Sequence, residues 1–337
     1  MPAASWGFLL GVLSLQGEVI PRVGALQHPT AGPIVLREIR RLQLPAGQTP
    51  RSAVILPGGA VAVALSSDLR VVYWSDSATR WLDLPTNVPA LALRSTDDEA
   101  FSLEALLDLG GRVAEFSQTG GVLREHWVAM PDSASVLRDV AGTRRGWVLA
   151  VSDSIGDLQI LSLSQARLPR LLLAIGRDSL AHLLPDSTSP LRVHLGEVCP
   201  GVLAATLWWA PFTTILVNLD GGVRRTLDDA LADLPSRSVQ GGNAGAGLAP
   251  LLASMPVVGL PTGFARTVTD LRSNARWIVL YDGQGIRQRV SSLASPLALV
   301  AARPDEGLVL ASLQLSAHEL ILYRAPEITG LQSGVCK

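Results

Sequence analysis

The chain has 337 residues, of which 48% are hydrophobic and 17% are charged, and its formal net charge is -1. This composition is too apolar for a disordered protein. The balanced charge provides no overall field that would attract nucleic acid or anionic lipid. The sequence therefore predicts a folded protein, and we expect no nucleic-acid partner.

An apolar run lies close to the N-terminus, from Trp6 to Leu15 (WGFLLGVLSL). It is about half as long as the ~20 residues that a membrane span needs. No Lys or Arg precedes it and no A-x-A-like cleavage site follows it, as an export signal would require. Three interpretations stay open: a degenerate export signal, a misassigned start codon, or a retained segment that docks on a partner or a lipid surface.

We assign residues 1–32 to this apolar N-terminal segment and expect the protein in the periplasm or another extracytoplasmic compartment. The segment is also the expected place of any peripheral membrane contact. Its candidate interface residues are Trp6, Phe8, Leu9 and Leu10.

A repeated unit of short apolar strands separated by turns begins near Ser52. Its third strand recurs six times, centred on Tyr73, Phe116, Leu161, Val217, Tyr281 and Tyr323. Four-stranded blades of a β-propeller take about 40–50 residues each, and three of the five intervals fit that length. The two longer intervals indicate insertions near 177–190 and 227–256, the second beginning as a short helix (LDDALADL). Long insertions of this kind are candidate binding loops.

The last unit stops after three strands, and a fitting fourth strand lies at the other end of the repeat region. Ile34 to Leu44 (IVLREIRRLQL) has the pattern of an outer strand, and pairing it with the last unit would leave no open sheet edge. The predicted fold is all-β, a six-bladed propeller of four-stranded antiparallel blades closed by an N-terminal strand. It spans residues 33–326, followed by a tail at 327–337.

The stretch from Pro50 to Ser75, PRSAVILPGGAVAVALSSDLRVVYWS, resembles the repeated unit of the six-bladed propeller superfamily that includes NHL-repeat and related bacterial propellers. The resemblance extends over about residues 34–326. It implies a fold and a tendency to bind partners, and it assigns no catalytic residue.

The sequence contains few residue patterns that indicate catalysis or metal binding. His194-x-x-Glu197-x-Cys199 is the one compact group of metal-binding residue types that contains a histidine, but its spacing matches no zinc site and no fourth ligand is visible. We expect it in a turn at a blade edge, and we expect no metal and no cofactor. Cys199 and Cys336 are either a disulfide in an oxidising compartment or two thiols in the cytosol.

Tryptophan is frequent, with 8 residues. Trp74, Trp147 and Trp277 lie in apolar strands and are expected to pack between blades. Successive strand residues face opposite sides, so at least one member of the adjacent Trp208–Trp209 pair is expected at the surface or in a groove.

Further candidate interface residues lie in predicted outer strands. Trp81 and Trp127 are large aromatics of the kind that mark interfaces. Arg37 and Arg41 of the closing strand are predicted to share one face, with Arg40 on the other, as either a solvated edge or a docking site for an acidic partner.

These features favour a non-catalytic propeller that binds other protein subunits, as a structural or accessory subunit of a larger, membrane-associated complex. The alternative is a propeller hydrolase or lyase, or a propeller that binds a small ligand at its central mouth. A channel lined by convergent Asp, Glu, His or Arg would favour the alternative.

Overall fold

The computed structural model describes residues 36–75, 78–96, 101–117, 121–131, 135–164, 167–181, 191–208, 212–229, 252–261, 263–271, 275–282, 285–292, 297–313 and 319–324. The chain divides into residues 1–30, which lie outside these ranges, and residues 31–337, which contain all of them.

The described residues form six antiparallel sheets of four strands each, so the six-bladed prediction is confirmed. Blade 1 contains β2 (Pro50–Ile55), β3 (Val61–Leu65), β4 (Arg70–Trp74) and β5 (Thr79–Asp83). Blade 2 contains β6 (Ala92–Ser95), β7 (Phe101–Leu106), β8 (Arg112–Ser117) and β9 (Val122–Trp127). Blade 3 contains β10 (Val136–Thr143), β11 (Gly146–Ser152), β12 (Leu158–Ser164) and β13 (Arg167–Ile175), followed by the one-turn helix α1 (Arg177–Ala181).

The other three blades follow in chain order. Blade 4 contains β14 (Val193–Cys199), β15 (Val202–Leu207), β16 (Phe212–Asn218) and β17 (Val223–Asp229). Blade 5 contains β18 (Leu252–Leu260), β19 (Gly263–Asp270), β20 (Arg276–Asp282) and β21 (Arg287–Ser292). Blade 6 contains β22 (Leu297–Arg303), β23 (Leu308–Leu313), β24 (Glu319–Arg324) and the closing strand β1 (Arg37–Gln43).

The ring closes as the sequence predicts, with β1 as the outermost strand of blade 6. It pairs antiparallel with β24, from Arg37 opposite Arg324 to Gln43 opposite Glu319. All six residues that were used to count the blades lie in third strands, β4, β8, β12, β16, β20 and β24. Closure joins the first and last blades and covers the edge that β24 would otherwise expose.

The core lies between blades. Six clusters of buried apolar side chains occur among the described residues, one at each contact between adjacent blades. Trp74, Trp147 and Trp277 belong to three of them, so their predicted packing role is confirmed. Because both faces of a blade are covered, second strands such as Val202–Leu207 are buried at every position and show no polar alternation.

The predicted faces of the closing strand are wrong because β1 contains a β-bulge between Glu38 and Arg40. The extra residue reverses the alternation of side chains. Arg41 therefore shares a face with Glu38, to which it forms a 3.0 Å ion pair, and not with Arg37.

The predicted helix at the start of the 227–256 insertion is also wrong in the part that the structure describes. Leu227 to Asp229 continue strand β17, pairing with β16 up to Asp229 opposite Phe212. A strand forms here because it buries Leu227 in the apolar cluster between blades 4 and 5. Residues 230–251 and 182–190 of the two predicted insertions lie outside the described residues.

Leu42 and Ile39 test the closing strand. Leu42 is 3% exposed and packs between blades 6 and 1, whereas Ile39 on the same strand is 46% exposed. We expect Leu42→Ala to lower the free energy of unfolding by about 2–5 kcal/mol, and Ile39→Ala to change it by less than about 0.5 kcal/mol. Urea unfolding measures both, and equal effects would show that β1 is not part of the core.

Candidate functional site

The six inner strands surround the axis of the ring and run in one direction. Each contacts the inner strands of the two neighbouring blades. The direction follows from paired contacts: the Leu195 N–H donates to Asp139 Oδ2 at 2.7 Å, and further along both strands the Arg144 N–H donates to Glu197 Oε2 at 2.9 Å. We call the end where the inner strands begin the front face and the end where they stop the back face.

The inner strands enclose a central channel with a cavity volume of about 380 Å³. Much of the described wall is backbone and small side chains, such as Ala53, Ala141 and Ala301. The strands approach so closely that a Cβ added at Gly196 would lie 2.1 Å from the carbonyl oxygen of Val257. Glycine is therefore required there because no side chain fits between blades 4 and 5.

Three of the titratable side chains that line the channel have shifted pKa values, and they come from the adjacent strands β10 and β14. Burial raises the pKa of the Asp139 carboxyl to about 7, partly offset by backbone hydrogen bonds. Burial, together with the charge of Arg192, lowers the pKa of the His194 imidazole to about 4. Burial also raises the pKa of Glu197, against hydrogen bonds from backbone amides. Groups perturbed in this way inside a cavity are candidates for a functional site. Their position in the channel is the feature that favours the alternative prediction, a site at the central mouth.

Ion pairs cross the channel at the back face. Arg144 of blade 3 contacts Asp305 of blade 6 at 2.6 Å, although these blades are on opposite sides of the ring. Arg303 of blade 6 contacts Glu306 at 2.7 Å and donates to Ser95 Oγ of blade 2 at 3.2 Å. These contacts close the back end of the channel and connect three blades.

The expectation that His194, Glu197 and Cys199 lie in a blade-edge turn is wrong. All three belong to strand β14 and line the channel. A shift of register between Glu197 and Cys199 breaks their alternation along the strand. In the described part of the chain, no three His, Cys, Asp or Glu side chains come close enough to hold a metal ion.

Exposed apolar side chains cluster at the front face. The turn between second and third strands carries one in each of blades 1, 2, 3 and 5: Leu69, Leu109, Ile155 and Leu271. We call these four residues the apolar tips. Val88, Val136 and Trp127 are exposed at the same face, next to strand ends. Within the described ranges, the back-face turns carry no exposed large apolar side chain, although Val122, Leu168 and Val223 are exposed where outer strands begin at that face.

Aspartates build the turns that present the tips. The Asp108 carboxylate accepts a hydrogen bond from the Gly110 N–H at 2.8 Å, which leaves Leu109 between them pointing outward. The Asp153 carboxylate accepts one from the Ile155 N–H at 3.0 Å. An Asp that bonds to the backbone two residues later fixes such a turn. The sequence signal for the tips is therefore an apolar residue one or two positions after a turn Asp.

Trp127 is the predicted interface residue that the structure brings to the apolar tips. It ends the outer strand β9 at the front face, is 62% exposed, and its ring lies beside the turn that contains Leu109 and Gly110. Trp81 also lies in an outer strand, β5, but at the rim of the ring, where the Arg70 guanidinium lies 4.1 Å from its ring centre.

The remaining predicted residues are not brought together. Trp208 is half-buried near the front face, with the Arg192 guanidinium 4.1 Å from its ring centre. Arg37 and Arg41 are exposed on β1 at the rim. Cys199 is buried in β14.

Other predicted residues cannot be placed. Trp6, Phe8, Leu9, Leu10, Trp209 and Cys336 lie outside the described residues. The predicted contacts of the N-terminal segment, and the predicted pairing of Cys199 with Cys336, therefore stay predictions. Within the described ranges, no helix combines the length and the apolar character needed to cross a membrane.

Similarity to known proteins is confined to structure. No protein-family model matches the chain, and no curated protein is similar to it in sequence. A chain of the Mitotic Checkpoint Complex is 15% identical, with 89% of this chain and 95% of that chain covered and a TM-score of 0.50. The β-propeller domain of Cps50 (Swd1) from Myceliophteria thermophila is 12% identical, with coverages of 82% and 84% and a TM-score of 0.48.

A third similar structure is virginiamycin B lyase from Staphylococcus aureus, at 10% identity, coverages of 84% and 98% and a TM-score of 0.45. At these identities the similarity shows the fold alone. The chain is a six-bladed β-propeller, and its function has to be argued from its own residues.

Asp139 and His194 have opposite effects on how stability depends on pH. Between its usual pKa of 3.8 and about 7, Asp139 holds more protons in the folded state, so its contribution to stability falls as pH rises. Between about 4 and its usual 6.5, His194 holds fewer protons when folded, so its contribution rises with pH. We expect the free energy of unfolding of the wild type, minus that of Asp139→Asn, to fall as pH rises from 4 to 7.

The free energy of unfolding of the wild type, minus that of His194→Gln, should rise as pH rises from 4 to 6.5. Urea unfolding across this range measures both differences. Flat curves would mean that neither side chain is desolvated in the channel.

Gly196→Ala tests the close approach of the inner strands. The new methyl group would overlap the Val257 carbonyl, and we expect a loss of about 1–3 kcal/mol in the free energy of unfolding. Gly176→Ala is the control, because its nearest atom, Asp157 Oδ1, would be 3.9 Å from the new methyl group. Similar stabilities for the two variants would contradict the tight packing around the channel.

Proposed function

We propose that this protein is a non-catalytic binding propeller that docks another protein subunit on its front face. The observation that carries the proposal is the set of apolar tips: four blades each expose an apolar side chain at the same turn and on the same face. Tips on separate blades span much of the ring, so the surface that covers them must be broad. Exposed apolar groups surrounded by polar ones are typical of protein-binding surfaces.

Leu109 and Trp127 form the centre of the proposed contact. They are 60% and 62% exposed, and the Trp127 ring lies beside the turn that carries Leu109 at the front of blade 2. A tryptophan next to a leucine provides a large apolar area that stays rigid, because the turn and the strand end hold both backbones. The aspartates and arginines around the tips would form the polar rim of such an interface.

Charge favours a protein over a lipid surface as the occupant of this face. The tips of blades 2 and 3 have the carboxylates of Asp108 and Asp153 within two residues of the apolar side chain. Insertion of those tips into a bilayer would bring the carboxylates to the phosphate layer of anionic lipids, which disfavours them. A protein surface can instead place Lys or Arg opposite each carboxylate.

The proposal extends to a larger, extracytoplasmic and membrane-associated assembly in which this chain is a structural subunit. Its support is the apolar run Trp6 to Leu15 and the low charged fraction of 17%. In this part of the proposal the N-terminal segment provides the peripheral membrane contact, and the front face stays available for the protein partner.

Site-specific photo-crosslinking in the source organism tests the docking face. A photoreactive amino acid is placed at Leu69, Leu109 or Ile155 in the full-length chain. Matched probes are placed at Arg145 and Asp220, exposed residues in turns of the back face. We expect one defined protein adduct from all three front positions and none from the back positions, because only the front face carries the apolar tips.

Front-face probes that give no adduct, or that give the same adducts as the back-face probes, would overturn the proposed docking. The double variant Leu109→Ser/Trp127→Ser provides a second readout. It should reduce the crosslink at Leu69 by at least tenfold, whereas Leu168→Ser, at an 87% exposed rim position, should leave it unchanged.

A further inference from the structure

The central channel contains a carboxylate with no positive partner in the described structure. Asp139 lies on the channel wall, and its Oδ2 accepts the hydrogen bond from the Leu195 N–H at 2.7 Å. Within the described ranges, it forms no ion pair. A carboxylate in a partly desolvated site is costly unless a cation or several donors compensate its charge.

The positively charged side chains near the channel either form ion pairs with other carboxylates or are exposed to solvent. Arg94, from the neighbouring strand β6, forms a 2.5 Å ion pair with Glu104. Arg144 and Arg303 belong to the ion pairs that close the back end. Arg51 lines the front part of the channel, and Arg192, whose charge acts on His194, directly precedes β14. Both are exposed, where solvent screens their charge.

The two other titratable groups that face Asp139 do not neutralise it. Glu197 is acidic, and its two oxygens accept hydrogen bonds from the backbone amides of Arg144 and Gly201. His194 immediately precedes Leu195, the residue that bonds to Asp139, and its imidazole is neutral at pH 7 because burial lowers its pKa to about 4. A neutral imidazole offers one nitrogen as an acceptor. The channel wall therefore presents two acceptors on neighbouring strands, the His194 imidazole and the Asp139 carboxyl, which is anionic above pH 7.

We infer that the channel binds an alkylammonium or alkylguanidinium group, with Asp139 neutralising its charge and His194 accepting one of its hydrogen bonds. Amines and guanidinium groups are donors without acceptor capacity, which matches a wall of acceptors. The volume of about 380 Å³ lies within the usual range of small-ligand sites, and the alanines of the wall fit an alkyl stem. The group belongs either to a small molecule or to a Lys or Arg of the docked partner, and the second source rests on the proposed docking.

The first experiment uses n-butylguanidinium and n-butylammonium chloride as probes, titrated into the full-length protein at pH 8 by calorimetry. Butyrate and n-butanol are the matched controls, with the same stem and a negative or no charge. We expect the two cations to bind and the controls not to bind. Asp139→Asn should weaken cation binding at least tenfold, and Asp220→Asn, which alters an exposed carboxylate of the back face, should leave it unchanged.

Binding should also weaken as pH falls below 7, by about tenfold per pH unit, because a proton competes with the cation for the carboxylate. If Asp139→Asn does not fold, this pH dependence tests the inferred cation site on the wild-type protein alone. The inference is overturned if neither cation binds at pH 8, if butyrate binds more tightly than the cations, or if affinity does not change with pH.

Two further measurements distinguish a small-molecule cation from a Lys or Arg of the docked partner. Native mass spectrometry of protein isolated from its source would detect a bound small amine, absent from Asp139→Asn, while the front-face crosslinks stay unchanged. A partner side chain would instead make those crosslinks sensitive to Asp139→Asn and to added n-butylguanidinium. Cation binding without any front-face crosslink would contradict the docking proposal and leave the channel site intact, so the two can fail separately.

Discussion

Each blade buries both of its faces against its neighbours, and the other features of the structure depend on this packing. Six apolar clusters, one at each contact between adjacent blades, replace the single core of an ordinary domain. A blade with one uncovered face would expose a sheet of apolar side chains. The ring must therefore close, and β1 closes it by completing blade 6 next to blade 1.

The same packing determines where chemistry can occur. Closely spaced inner strands leave a narrow channel, so the few charged side chains inside it are desolvated and their pKa values shift, as for Asp139 and His194. At the back face, ion pairs such as Arg144–Asp305 connect opposite blades and close the channel. The front face has the opposite character, because its turns carry apolar side chains into solvent. The back face thus holds blades together, and the front face is the one on which we propose that a partner docks.

The sequence predicts the fold well and the site poorly, for physical reasons. The number of blades, the positions of the third strands and the closure of the ring can be predicted because every blade contains the same local pattern of apolar strands and turns. The β-bulge at Glu38 and Arg40 leaves no local signal, so strict alternation places Arg37 and Arg41 on one face, which is wrong. His194 looks like a turn residue until β14 is recognised as an inner strand. The hydrogen bond from its neighbour Leu195 to Asp139 is a contact between blades that no local pattern encodes. Leu109 looks like an ordinary turn residue until the turns of several blades are placed on one face.

The central claim is that this propeller works as a subunit of a larger assembly, and the native mass of the protein isolated from its source in mild detergent tests it most directly. The same preparation gives the intact mass of the chain and so shows whether residues 1–32 are retained. The account predicts a complex of defined composition, well above the 35.6 kDa of the single chain, containing one further protein in fixed ratio. A free monomer of the chain at physiological concentration would contradict it.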